Sequence, residues 1–210
     1  PPIWFVAAAP AKVFCYLHDR MMHRRQTLAL LAAASVPPAF GASRAAEAPG
    51  MSRATAYAFA FTMPSGESLR LVGHAGKPIL IVNTASLCGY ARQFGGLEAL
   101  WTHYRDRGLV IIGVPSNDFG AQEPGGAAEI AAAAQEHGVT FPLTTKVAVK
   151  GPDAHPFYRW AAGERPGAAP RWNFHKYLVG RDGRLAAAFP SATEPDDPQL
   201  VAAIERELAD

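Results

Sequence analysis

An α/β domain with a mixed central sheet flanked by helices is predicted by three features of this 210-residue sequence. Two apolar runs, 79–82 (ILIV) and 109–114 (LVIIGV), contain no polar residue, the mark of strands covered on both faces. Between them Phe94, Leu97, Leu100, Trp101 and Tyr104 recur at spacings of three and four, one apolar stripe of a helix. Near the end, 172–179 and 185–189 read as extended segments joined by Gly180-Arg181-Asp182-Gly183, a hairpin with glycine at its turn. The strand-helix-strand unit requires a parallel pair and the hairpin an antiparallel one, so the sheet is mixed.

The other elements follow in order. Residues 57–61 alternate aromatic residues with alanine, and after a Pro-Ser-Gly turn 68–72 reads as a returning strand, a β-hairpin added N-terminally to the main sheet. The strand 79–84 ends in a polar Asn/Thr/Ser segment that delivers Cys88 to the expected N-terminus of the helix 94–107, where the backbone dipole favours a thiolate. Gly108 stops that helix, and the strand 109–114 opens onto a loop rich in Asn, Gly and Pro, 115–125. An Ala-rich helix is expected over 127–137, an extended piece over 139–145, a short helix over 156–162, a compact loop over 163–170 and an amphipathic helix over 196–208. The order β-α-β-α-β-β-α after the hairpin is that of the thioredoxin fold.

Composition removes several classes of function. The formal charge is +2, but residues 1–48 hold five of the 20 basic and two of the 18 acidic side chains, so the rest is close to neutral and offers no basic surface for nucleic acid or anionic lipid. Two cysteines, Cys15 and Cys88, exclude a disulfide framework, and Gly89, Tyr90 and Ala91 after Cys88 exclude a CxxC pair. The seven histidines show no ligand spacing, so no metal and no bound cofactor is expected. Met21 or Met22 opens a basic segment, His23-Arg24-Arg25, followed by an apolar run over 28–36 and small-residue patterns at Ala39-Phe40-Gly41 and Ala46-Glu47-Ala48 that place cleavage between 41 and 48. Residues 21–48 therefore read as an export signal, possible in twin-arginine or general secretory form, with an uncleaved anchor as the alternative; residues 1–20 read as an upstream segment and 52–210 as the folded domain. The run is far shorter than the roughly 20 residues of a membrane span, which argues against stable membrane insertion. An exported, periplasmic protein that loses Cys15 with its leader keeps one thiol in an oxidising compartment, where a lone cysteine is more often reactive than structural.

The predicted topology brings three segments to one sheet edge: Cys88 after the first core strand, the loop after the second, and Arg171-Trp172-Asn173 at the start of the antiparallel third. Among their side chains are three neutral donors, the amides of Gln122 and Asn173 and the indole N–H of Trp172. Neutral donors stabilise a thiolate without a counter-ion that would pin it, and they can bind peroxide oxygens as charge develops on the leaving alkoxide. Each residue also has a plain structural reading: Cys88 as a small buried hydrophobe, Trp172 as a core aromatic, Gln122 as an ordinary loop residue. His155 and Asn117 read as loop-fixing, His103, His137 and His175 as surface, and Arg92 and Lys176 as a solvated face that could also attract the carboxylates of a thiol donor.

Four stretches carry a family resemblance: Asn83-Thr84-Ala85-Ser86-Leu87-Cys88-Gly89, the loop 115–125, Lys150-Gly151-Pro152-Asp153-Ala154-His155-Pro156, and Trp172-Asn173-Phe174-His175-Lys176-Tyr177-Leu178-Val179. In order and over about residues 55–208, the chain resembles the glutathione peroxidases. The resemblance implies a peroxidatic residue at Cys88, with Gln122, Trp172 and Asn173 as the other members of a catalytic tetrad. It also implies reduction of hydrogen peroxide and of organic or lipid hydroperoxides through a cysteine sulfenic acid.

Departures qualify what the resemblance carries over. Asp118 stands where the family has Gln, either opposing thiolate formation if it points inward or a solvated loop residue; Ala91 stands where Thr is frequent, and Ser116 where many relatives have a further cysteine. Residues 127–137 contain no resolving cysteine, so the reductant must be an external thiol, glutathione or another. The connection 161–171 is short, which the resemblance links to a monomer with an open site. Two rival readings are a redox sensor or binding module that passes its oxidation to a partner protein, and a degenerate relative whose site Asp118 and Ala91 have spoiled.

Overall fold

The computed structural model describes residues 54–209; the leader and its cleavage patterns lie outside them. Four strands form the central sheet: β3 (Ile79–Thr84), β4 (Val110–Pro115), β5 (Lys176–Val179) and β6 (Leu185–Phe189), in the spatial order β4-β3-β5-β6. β3 and β4 are parallel, with Ile79 opposite Val110 and Thr84 opposite Pro115. β5 runs antiparallel to β3, with Val82 opposite Lys176, and pairs with β6 across the predicted hairpin. The carboxyl ends of β3 and β4 and the start of β5 therefore share one edge, as the sequence predicted.

Both central strands are buried on both faces because their side chains alternate between two cores. Leu80 and Val82 face α1 (Gln93–Tyr104) and α4 (Pro198–Leu208), meeting Leu97, Leu100, Leu200 and Ile204. Ile79 and Ile81 face α3 (Pro156–Glu164), meeting Phe157, Tyr158 and Trp160. The predicted stripe of α1 is largely buried, and the helix tightens into a 3-10 turn that ends at Gly108, whose φ of 111° is open to glycine at little cost. α2 (Ala127–Glu136) opens with Glu129 accepting from Gly126 N–H at 3.0 Å, and α4 opens on Asp197, which accepts from Gln199 N–H at 2.8 Å.

Two expectations are corrected. The hairpin of β1 (Ala60–Thr62) and β2 (Ser68–Arg70) forms its own two-stranded sheet and does not extend the main one. It is attached instead through side chains, Phe61 stacking on His155 at 4.3 Å, and through Thr145 N–H donating to Thr62 C=O at 2.7 Å. The expected strand 172–179 is extended only over Lys176–Val179, because Phe174 adopts a left-handed φ of 63° and makes a turn of the residues before it. The piece 139–145 touches the sheet by a single parallel bridge, Gly113 to Leu143.

Candidate active site

Cys88 lies in a run of turns between β3 and α1, five residues before the first residue of the helix, so the expected placement at the helix N-terminus is not what the chain adopts. Those turns are built from local bonds, Cys88 N–H to Ala85 C=O, Ala91 N–H to Cys88 C=O and Gln93 N–H to Tyr90 C=O. The side chain is buried, 6% exposed, and the Tyr90 N–H points at Sγ from 3.5 Å. A backbone N–H is the kind of donor that holds a sulfur anion.

Two clasps fasten this turn to the loop after β4. Leu87 N–H donates to Gln122 C=O at 3.0 Å. One carboxylate oxygen of Glu123 accepts both the N–H and the hydroxyl of Ser86, at 2.9 and 3.0 Å. Glu123 is 2% exposed, and burial pushes its pKa up against the opposing effect of the Ser86 bonds and the Lys146 charge. Its own N–H is held by Asn117 at 2.8 Å, and the Lys146 ammonium gathers the carbonyls of Glu123 and Gly125, both at 2.9 Å. Asn117 is thus a loop-fixing residue, as the sequence indicated. Glu123 and Lys146 escaped the sequence reading; the available signal was a second acidic residue, after Asp118, in a loop of Asn, Pro and Gly.

The third segment carries Trp172 and Asn173. Asn173 is fully buried, and its amide N–H groups donate to Gln122 Oε1 at 3.0 Å and to Phe119 C=O at 3.3 Å. Two acceptors on one side fix the orientation of that amide. Trp172 is 39% exposed, which sets aside the reading as a core aromatic. Its ring lies against Phe119 and over Gly120, where a Cβ would stand 3.4 Å from the indole edge. Asn83, at the end of β3, donates from its side chain to Trp172 C=O at 3.1 Å and so ties this turn to the strand that leads to Cys88.

The structure therefore gathers Gln122, Trp172 and Asn173 around one loop, and joins that loop to the residue before Cys88. Among the described residues, no hydrogen bond joins Sγ to those three side chains, and none engages Gln122 Nε2 or Trp172 Nε1.

Asp118 is turned to another task. Its carboxylate accepts from the backbone N–H groups of Val149 and Lys150, at 2.6 and 3.1 Å, and fixes the segment before α3, so it is neither aimed at the thiol nor simply solvated. His155 caps α3, its Nδ1 accepting from Phe157 N–H, while Nε2 contacts Ala60 C=O at 3.0 Å. Two surface assignments are overturned: His175 is 6% exposed and Lys176 fully buried, because the strand they lead into is covered on both faces. Burial and the neighbouring Lys176 charge push the His175 pKa down to about 4, and burial lowers that of Lys176 to about 8. Arg92 is exposed and pairs with Glu194 at 2.9 Å. Among the described residues, no cluster of His, Cys, Asp or Glu could hold a metal ion, and no helix is long and apolar enough to cross a membrane.

Comparison with known proteins decides the family. Residues 56–162 match the family model described as glutathione peroxidase. The chain belongs to the glutathione peroxidase family. It is 42% identical over 164 residues to the hydroperoxy fatty acid reductase gpx1 of Synechocystis sp., an alignment covering 73% of this chain and 96% of that protein. It is 41% identical over 145 residues to a glutathione peroxidase of Lactococcus lactis, covering 67% of this chain and 92% of the relative. The crystal structure of Trgpx in apo form superposes with a TM-score of 0.60 at 33% identity, covering 73% of this chain and 97% of that one. The fold is the thioredoxin fold, shared with T. cruzi GPX1 at a TM-score of 0.59 and 26% identity, over 72% of this chain and 97% of that one. As a member of the glutathione peroxidase family the chain is a peroxidase that reduces hydroperoxides with a thiol donor.

Proposed function

We propose that Cys88 is the peroxidatic nucleophile of this enzyme and that its hydroperoxide substrates include organic ones with apolar chains. The thiolate attacks the distal oxygen of the O–O bond; an S–O bond forms, the O–O bond breaks, and the leaving alkoxide takes a proton to become alcohol or water. One external thiol then converts the sulfenic acid to a mixed disulfide with release of water. A second thiol frees Cys88 and leaves as the donor's disulfide. Gln122 Nε2 and Trp172 Nε1 supply donors to the sulfur and to the developing alkoxide. Asn173 orients Gln122 and exchanges its longer bond, to Phe119, for the anion.

The observation that carries this reading is the convergence of the buried Cys88 turn, the Gln122–Asn173 pair and Trp172 at one edge of the sheet. The apolar substrate is supported by Leu87, 68% exposed beside Cys88, and by the exposed Trp172 across the loop. Two of the similar proteins, from Synechocystis sp., are hydroperoxy fatty acid reductases. The reductant is an external thiol, glutathione or another, because 127–137 offers no second cysteine. We read the enzyme as an exported monomer, on the signal-like segment 21–48 and the short connection after α3. Cys88→Ser abolishes turnover of hydrogen peroxide and of a fatty acid hydroperoxide in a coupled thiol assay; a variant that retains the wild-type rate would overturn the assignment.

A further inference from the structure

We infer that Lys176 is a positioning residue of the peroxidase site: its buried ammonium clasps the chain leaving Cys88 to the turn that carries Trp172 and Asn173. The inference rests on Cys88 being the peroxidatic residue. Lys176 opens β5 opposite Val82 and has no exposed surface. A lysine so deeply buried is rare unless a carboxylate pairs with it, yet no ion pair among the described residues includes Lys176, and Glu194, whose charge acts on it from beyond ion-pair distance, is bonded to Arg92. Its Nζ instead donates to two neutral acceptors, Gln93 Oε1 and Phe174 C=O, each at 2.7 Å. These are short, charge-assisted bonds to groups that have no water to turn to.

The two acceptors belong to different segments of the site, one after Cys88 and one after Asn173. Gln93 is the first residue of α1, five after Cys88, 1% exposed and itself tied to Ser191 C=O through Nε2 at 2.8 Å. Phe174 follows Asn173 directly and holds the left-handed φ of 63° that bends Trp172 and Asn173 out of the line of β5. That conformation is unfavourable for a bulky residue and persists only where its surroundings impose it. The Phe174 N–H is fixed by Asn83 C=O at 2.6 Å, and its carbonyl is fixed by Lys176. An aliphatic side chain would fill the same space without desolvating a charge. What an aliphatic residue cannot do is hold the Phe174 carbonyl and Gln93 together.

The test separates positioning from thiol reactivity. Oxidation of Cys88 by hydrogen peroxide and by tert-butyl hydroperoxide is followed by stopped-flow tryptophan fluorescence, and alkylation of the same thiol by iodoacetamide is followed by mass spectrometry. Alkylation needs the thiolate but no donor to a leaving alkoxide, so a displaced Asn173 turn slows it far less than it slows oxidation. Lys176→Met oxidises roughly 10–100-fold more slowly while its alkylation stays within about threefold of wild type. Gln93→Leu, which removes the other end of the clasp, shifts oxidation the same way by roughly 3–10-fold. Wild-type oxidation in Lys176→Met, or an equal fall in both reactions, overturns the inference. Should Lys176→Met fail to fold, wild-type oxidation in Gln93→Leu overturns it by itself. A wild-type Cys88 that no hydroperoxide oxidises would instead sink the peroxidatic assignment, a result these two variants cannot mimic.

Discussion

Asn173 donates through Nδ2 to Gln122 Oε1 across 3.0 Å, and this bond joins the turn before β5 to the loop after β4 at the mouth of the site. The second Nδ2 hydrogen goes to Phe119 C=O, so both donors of Asn173 are engaged and the amide of Gln122 is held through its oxygen. The residues flanking the pair are the two non-glycine residues with positive φ among those described, Ala121 at 50° and Phe174 at 63°. Backbone strain is thus concentrated where the two amides meet, as expected when a functional geometry is imposed by the surrounding fold.

Asn173→Ala removes a donor and also releases Gln122. Oxidation of Cys88 by hydrogen peroxide is expected to slow roughly 10–1000-fold, the range for loss of one preorganised donor. Because Asn173→Ala already frees Gln122, the double variant with Gln122→Ala loses less than the product of the single losses. Second-order oxidation rates of the four proteins measure this. Strictly multiplicative losses would mean that the two amides act independently.

Much of this architecture is legible in the sequence. The buried strands announced themselves as unbroken apolar runs, and their topology alone put Cys88, Gln122, Trp172 and Asn173 at one edge. What stayed hidden was the direction of charged and polar side chains. Lys176 and His175 read as surface because lysine and histidine usually are, yet they lie at the start of a short strand covered on both faces, Lys176 as its first residue and His175 just before it. Asp118 read as a threat to the thiolate or a solvated residue because its partners, the N–H groups of Val149 and Lys150, are about thirty positions away and leave no local signal. The turn at Trp172–Phe174 read as strand because one left-handed residue has no counterpart in a hydrophobic pattern.

Glu123 lends itself to a test by isosteric replacement. Its folded pKa is raised by burial, so above the unfolded carboxylate value of about 4.5 the folded state holds the proton more tightly. The contribution of this group to stability is therefore greatest at low pH and declines as pH rises through the raised pKa. Glu123→Gln keeps an acceptor for both Ser86 bonds and carries no charge. Urea unfolding from pH 4 to 7 should show the glutamine variant gaining on wild type as pH rises. Glu123→Ala leaves the Ser86 N–H and hydroxyl without their acceptor and should cost about 1–3 kcal/mol at pH 7. A pH-independent difference between glutamine and wild type would remove the carboxylate's burial as a factor.

His175 predicts the opposite slope. With a folded pKa of about 4 against an ordinary 6.5, set first by burial and then by the Lys176 charge, the unfolded chain binds more protons than the folded one between those values. Stability from this group is complete above pH 6.5 and is lost as pH falls toward 4, to a total of about 3 kcal/mol. His175→Gln removes the titration while leaving a neutral polar side chain beside Tyr177, on which the imidazole packs edge-on at 4.6 Å. Unfolding free energies at pH 7, 5.5 and 4 should fall less steeply in the variant than in wild type, and the difference isolates His175 from the other groups that titrate in this range. Parallel pH profiles would show that His175 takes up its proton without unfolding the domain, and the buried ring would then have to be solvated in a way its 6% exposure does not allow.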